Sequence, residues 1–365
     1  MTFSSSGGGA GRTPGPAKHR PPLPVRDGLN PTRIVLPHEP DVVARFPFAL
    51  DYLLDRFRDD EVRLREKLAL GEVVTGHGAP LTPTTPYEPR GFIYLYRDPP
   101  AHEDKIPFEP EVLFRDENLL VVDKPHFLAT TPRGRWVRET ALVRLRVALD
   151  LPELSPAHRL DRGTAGVLVL TVRPEVRGAY QEAFARRAVR KVYEAVAPLA
   201  PSGSLVQSEG AAQSGGAVQS GSVVPDGVRV ARGESVTVRS RIVKRRGVTR
   251  AEEVPGEPNA ESLITLATAD AARGLGLYRL EPHTGKTHQL RLHMASLGLP
   301  ILHDPFWPEL RDTEPDDFDR PLQLLARSLE LTDPLSGRPR RFESRRTLSE
   351  APVSESSSRG GDLSG

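Results

Sequence analysis

The chain has 365 residues, 38% hydrophobic and 27% charged, a net charge of +2 and no cysteine, an ordinary globular composition with room for two domains. No disulfide framework is available, and no apolar run approaches the ~18 residues of a membrane-spanning helix. Residues 1–9 lack the apolar core of a secretory signal, so a cytoplasmic protein without a membrane partner is expected. The basic residues are overwhelmingly Arg, with Lys at seven positions; Arg suits phosphate forks and base stacking, although a codon bias toward Arg, Ala, Gly and Pro gives the same composition.

Residues 1–30, rich in Gly, Pro, Ser and basic side chains, read as a disordered basic segment. Leu50, Leu53, Leu54 and Phe57 follow i, i+3, i+4, i+7 and predict a helix; a second, over 61–70, carries Arg63, Arg65 and Lys67 and ends before Gly71. Val73-Val74-Thr75, the turn Gly76-His77-Gly78 and a strand over 92–96 complete a small unit spanning 40–100. The apolar run 119–122 predicts a strand buried on both faces. A constrained turn at 158–166 then holds Asp161 between basic residues and the apolar strand 167–171. Alternation over 189–196 predicts another strand. Residues 201–235 form a low-complexity insertion, which a surface hairpin tolerates because loop entropy grows only logarithmically with length. Thr284-Gly285 is turn chemistry ahead of a helix that places Gln289, His293 and Met294 on neighbouring faces. Residues 347–365 read as a disordered tail.

Four segments carry the chemistry, in order: 113–126 (Asp116 through Lys124-Pro125-His126), His158-Arg159-Leu160-Asp161-Arg162-Gly163-Thr164-Ala165-Gly166, Lys191-Val192-Tyr193-Glu194-Ala195, and 280–305, with Pro282-His283-Thr284-Gly285-Lys286-Thr287-His288-Gln289-Leu290-Arg291-Leu292-His293-Met294. They resemble the signatures of the RluA-type RNA pseudouridine synthases, H-R-L-D-x-x-T-[SA]-G foremost. The resemblance covers about 112–200 and 258–343. Alone, each segment has a bland reading: a surface ion pair for the tetrapeptide, a half-buried strand residue for Tyr193, and hydrogen-bonding rather than metal-ligating histidines at 283, 288 and 293. Two positions depart from the family pattern, Lys286 where Arg is usual and His303 where Gly is usual, and Lys286 is therefore left out of the catalytic set.

The resemblance implies an α+β fold: a synthase catalytic domain over 108–345 with an antiparallel-rich mixed sheet, preceded by a small helix-hairpin unit. That unit resembles a degenerate RNA-binding domain, or is an extension packed on the catalytic domain. It implies that Asp161 is the catalytic carboxylate, that Tyr193 lies against the base and assists a proton transfer, and that Arg291 pairs with Asp161. It further implies that Leu292 is an apolar floor, and that His158 and Arg159 meet the substrate, Arg159 filling the space left in the RNA by a flipped base. Turning uridine into pseudouridine adds and removes nothing, so no redox cofactor, nucleotide cofactor or metal is called for. A carboxylate can serve there as nucleophile or base, and a nearby guanidinium favours its charged form. Ribosomal or transfer RNA is the expected partner and a monomer the default state. A non-catalytic RNA-binding or ribosome-assembly factor on the same fold would be expected to lack Asp161, Tyr193 or Arg291. A sugar hydrolase would need a second carboxylate, and Asp304 is read as structural. The clusters Arg186-Arg187, Arg190-Lys191, Lys244-Arg245-Arg246 and Arg340-Arg341 are candidates to track an RNA backbone.

Overall fold

The structure, a computed structural model, describes residues 21–199, 217–219, 233–311 and 316–352, and the chain divides into two units between Pro99 and Pro100. The first contains β1 (Thr32–Val35), α1 (Pro40–Arg45), α2 (Ala49–Arg56), α3 (Glu61–Ala69), β2 (Val73–Thr75) and β3 (Phe92–Leu95). Its strands form an antiparallel sheet in the order β1-β3-β2. Both expected helices are present, because the stripe Leu50, Leu53, Leu54 and Phe57 packs with Ile34, Val73, Ile93 and Leu95. β1 and α1 have too few residues to declare a period, and the helix-hairpin expected here is instead three helices with three strands. Residues 21–30 are placed, against the expectation of disorder. The Tyr96 hydroxyl donates to the Pro24 carbonyl at 2.7 Å, and Arg26 lies over the Tyr96 ring while pairing with Glu72 at 2.7 Å. Residues 1–20 lie outside the described residues.

The second unit comprises β4 (Glu111–Arg115), β5 (Leu119–Lys124), α4 (Ala141–Leu149), β6 (Ser155–Pro156), β7 (Ala165–Thr171), α5 (Arg177–Ala185), β8 (Val189–Pro198), β9 (Ala217–Gln219) and β10 (Ser235–Ser240). It continues with β11 (Ile242–Val243), β12 (Glu252–Glu253), β13 (Ala260–Asp270), β14 (Leu275–Pro282), α6 (Gln289–Ser296), β15 (Leu324–Thr332) and β16 (Pro339–Glu343). The large sheet runs β4-β5-β7-β15-β8-β14-β13-β10-β9, with β16 on β15 and β6 on β7. It is mostly antiparallel, with parallel pairs at β7·β15 and β9·β10, so the fold is the α+β arrangement with a mixed sheet.

β5 and β7 are buried at every residue because both faces are covered. Leu120, Val122, Leu168 and Leu170 pack against Leu142 and Leu145 of α4, while Leu119, Val121, Val167 and Val169 pack on the side of Tyr180 from α5. β14 strictly alternates buried with half-buried residues, the mark of a sheet with one wetter face; its inner face, with Tyr278 and Leu280, meets Leu290 and Met294 of α6 and Leu297 just after it. Gly166 is required at the crossing of β7 and β15: its φ is +110°, and a Cβ there would stand 2.3 Å from the Ala326 carbonyl oxygen. Of the expected low-complexity insertion, residues 217–219 add the strand β9 and 233–235 lead into β10; 201–216 and 220–232 lie outside the described residues. Order also runs past Thr347, since Leu348 is buried and Gln323 binds Ser349 and the Glu350 backbone. Residues 353–365 lie outside the described residues.

Candidate active site

The turn that carries Asp161 has a donor on each of four successive carbonyls, 160–163. Thr130 Oγ1 donates to Leu160 at 2.7 Å, the Thr164 amide to Asp161 at 3.1 Å, Lys124 Nζ to Arg162 at 3.4 Å, and His126 Nδ1 to Gly163 at 2.7 Å. Lys124 is wholly buried, donates also to Pro125 and Leu128 at 2.8 and 2.7 Å, and has its pKa lowered by that burial, against the pull of the Asp161 charge. Buried polar groups need such partners, and here they fix the turn from the segment 124–130. The sequence alone assigns no role to Lys124, His126 and Thr130. The Lys-Pro-His run at the end of β5 was their signal.

Arg291, the third residue of α6, is buried. Its Nε and Nη2 form a fork on Asp304, at 2.8 and 2.5 Å, and its Nη1 stands 3.7 Å from Asp161 Oδ2. The Phe306 ring lies 4.4 Å and the Trp307 ring 5.3 Å from the guanidinium carbon, and Asp304 Oδ1 also accepts from the Phe306 amide at 2.8 Å. The expected pairing with Asp161 is thus present but is the longer of two, and Asp304 holds the tighter fork. Asp304 has no exposed side-chain surface and borders neither cavity at Asp161, so it is not the second carboxylate a hydrolase would use. Asp161 itself is one-third exposed.

A cavity of about 470 Å³ opens over Asp161, lined by His158, Arg159, Lys191, Tyr193, Lys286, His288 and Arg291 among others. This is the size of a small-ligand site. Half-buried Tyr193 keeps its proton well above the usual tyrosine range, through burial and then through the Asp161 charge. Gln289 ties the turn before α6 together: its Oε1 accepts from Thr284 Oγ1 at 2.7 Å and the Lys286 amide at 3.0 Å, and its Nε2 donates to the Glu261 carbonyl and Ser262 Oγ. His288, in the left-handed conformation with φ 57°, accepts from the Ala251 amide at 3.2 Å.

Of the six residues expected at the site, Asp161, Tyr193, Arg291, His158 and Arg159 line this cavity and Leu292 does not. Leu292 packs with Ile242, Ala251, Ala260 and Trp307, because consecutive helical residues point about 100° apart and Leu292 turns away from the wall made by Leu290. Leu160, Leu290 and Leu324 are among the apolar residues that line it instead. His158 has little freedom to meet a substrate: its ring stacks on Phe184 at 4.5 Å and its Nε2 accepts from the Val169 amide at 3.1 Å. Arg159 is exposed, and no ion pair among the described residues holds it. Most of the basic clusters are occupied within the protein. Arg186 pairs with Glu182, Arg190 with Glu281 and Glu330, Arg340 with Asp116 and Asp333, Arg341 with Glu330 and Glu343, and Arg245 with Glu252.

The sequence model of the RNA pseudouridylate synthase family matches residues 118–296, a span that includes Asp161, Tyr193 and Arg291. The chain is 29% identical over 234 residues to the dual-specificity RNA pseudouridine synthase RluA of Yersinia pestis, covering 64% of this chain and 97% of that one. It is 28% identical over 256 residues to an uncharacterised RNA pseudouridine synthase of Synechocystis, covering 70% and 77%. A solved human protein, RNA pseudouridylate synthase domain containing 4, superposes with a TM-score of 0.45 at 23% identity, over 66% of this chain and 89% of that one. The protein is an RNA pseudouridine synthase, an isomerase that converts uridine in RNA. Within that class the chain is similar to the RluA-type enzymes. Nothing in the structure or among the relatives favours a non-catalytic RNA-binding factor. No described helix is long and apolar enough to cross a membrane.

Four histidines of this unit are held neutral chiefly by burial, His158 down to about 3 and His126, His288 and His293 down to about 4, from an ordinary 6.5. The unfolded chain takes up these protons near pH 6.5 and the folded one only near 3–4. The stability they contribute is therefore complete above about pH 6.5 and is lost as pH falls toward 4. Depressed carboxylates act lower, below their own unfolded values. Denaturant midpoints between about pH 7 and pH 5 should fall at constant m-value; a flat profile would contradict the buried neutral assignment.

Proposed function

We propose that Asp161 is the nucleophile that works on a uridine flipped out of structured ribosomal or transfer RNA, in the cytoplasm and as a monomer. The observation that carries this reading is the buried Arg291 guanidinium, forked on Asp304 and presenting its remaining nitrogen to Asp161 at 3.7 Å. A carboxylate that must stay ionised while a base excludes water needs such a fixed cation. In the reaction the bond from the anomeric carbon to N1 breaks, the base turns, and the anomeric carbon joins C5; N1 gains the proton that C5 gives up. Tyr193, protonated throughout the neutral range, is assigned the place beside the base and a part in that proton transfer. Arg159, unpaired among the described residues at the cavity mouth, is assigned the space that the flipped base vacates, which offsets part of the unstacking cost. RNA as the substrate is supported by the names of the relatives, which are RNA pseudouridine synthases.

Asp161→Asn should lower pseudouridine formation by about 10³–10⁴-fold, the scale for loss of a group central to the chemistry. RNA affinity in a filter-binding assay should stay near wild type, because backbone contacts dominate binding. A loss of less than about tenfold in this variant would remove Asp161 from the nucleophile role. Arg159→Ala should reduce conversion of a base-paired target about tenfold more than conversion of an unpaired fragment, since only the former must be unstacked; equal losses on both would count against the wedge.

A further inference from the structure

Asp161 lies where two cavities meet. Beside the one described above is a second, of about 560 Å³, and Arg133, Arg159, Leu160, Asp161, His288 and Arg291 border both. A single uridine occupies one of them, and the isomerisation as derived makes no use of the other. The walls peculiar to the second cavity include Phe127, Trp136, Arg162 and Arg320. Arg162 follows Asp161 directly in the chain, and its guanidinium carbon lies 4.2 Å from the Trp136 ring centroid and 5.9 Å from that of Phe127. Both of its terminal nitrogens are engaged by Asp316, Nη1 to Oδ1 at 2.9 Å, so it cannot swing out to grip a phosphate. Phe127 is itself immobilised, stacked on Phe108 and edge-on to Phe318.

What this wall offers is a planar, pre-ordered, weakly hydrated face, the surface on which nucleobases stack. Asp316 and Asp317 also border the space; Asp316 is taken by Arg162, and the charge of Asp317 disfavours a phosphate beside the stack. The cations that could meet that phosphate, Arg133 and Arg320, have no side-chain ion pair among the described residues. We infer that the second cavity is a subsite for a second unpaired nucleobase, that of a nucleotide adjacent to the target uridine, stacked on the Arg162–Trp136 pair. The inference rests on the reading of Asp161 given above. It makes the enzyme select uridines whose neighbour can also leave the helix, and it couples that choice to the catalytic turn through Arg162.

The test uses the full chain and a short stem-loop RNA carrying a uridine that the wild type converts, with each adjacent nucleotide in turn replaced by an abasic one. In the wild type, one of the two abasic RNAs should lose about 5- to 150-fold in kcat/KM, the range for a stacked base. Trp136→Leu and, separately, Arg162→Lys should lose a similar factor on the intact RNA and be nearly indifferent to the abasic change. Circular dichroism identifies which variants are folded, and either one suffices. Wild-type rates on both abasic RNAs, or an abasic penalty that persists in a folded variant, would overturn the subsite while leaving the reaction assignment intact. A wild type that converts no uridine in ribosomal or transfer RNA would instead overturn the parent reading, and the subsite with it.

Discussion

A guanidinium taken out of water has to be met on several sides, and the catalytic unit is arranged around that requirement at Arg291. Leaving such a charge half-paired costs more than its best pair returns. Asp304 takes two of its nitrogens, the rings of Phe306 and Trp307 lie against it, and the third nitrogen remains for Asp161. Three separate stretches of chain, the start of α6, the loop 304–307 and the turn after Leu160, therefore have to arrive together. The order of β7, β15 and β8 in the sheet delivers the turn and Tyr193, and packing of α6 on β13 and β14 delivers Arg291.

The Asp161 turn is held by the same kind of accounting of polar groups. Its four carbonyls are met by Thr130, the Thr164 amide, Lys124 and His126, and the close crossing at Gly166 leaves no room for a side chain. In the role proposed for Asp161, a pre-ordered carboxylate does not have to be organised during the reaction, which is the source of electrostatic preorganisation. Binding is a different matter. Most of the arginine clusters are spent on internal carboxylates, and among the described residues the cations without such pairs at the cavities are Arg133, Arg159, Lys191, Lys286 and Arg320.

How much of this could be read from the sequence depended on range. Local patterns were sound: the apolar run 119–122 is a doubly covered strand, the alternation at 189–196 is β8, and Thr284-Gly285 leads into α6. The gathering of Asp161, Tyr193 and Arg291 at one cavity was legible only through motif resemblance, since the three are far apart in the chain. Partners fixed by tertiary contact were missed. Asp304 was set aside as structural, yet it is the tighter partner of Arg291; Leu292 was placed under the base although its helical phase turns it toward Trp307. The composition of residues 21–30 predicts disorder because nothing local shows that Tyr96 and Glu72 hold Pro24 and Arg26.

The central claim is that Arg291 serves Asp161 because Asp304 holds it in place, and Asp304→Asn tests it most directly. The substitution keeps the shape and one acceptor but removes the charge that forms the fork. In protein shown by circular dichroism to be folded, the rate of pseudouridine formation at saturating RNA should fall by about 10²-fold, the scale for a displaced catalytic geometry, with RNA affinity unchanged. A folded variant that works at the wild-type rate would contradict the account.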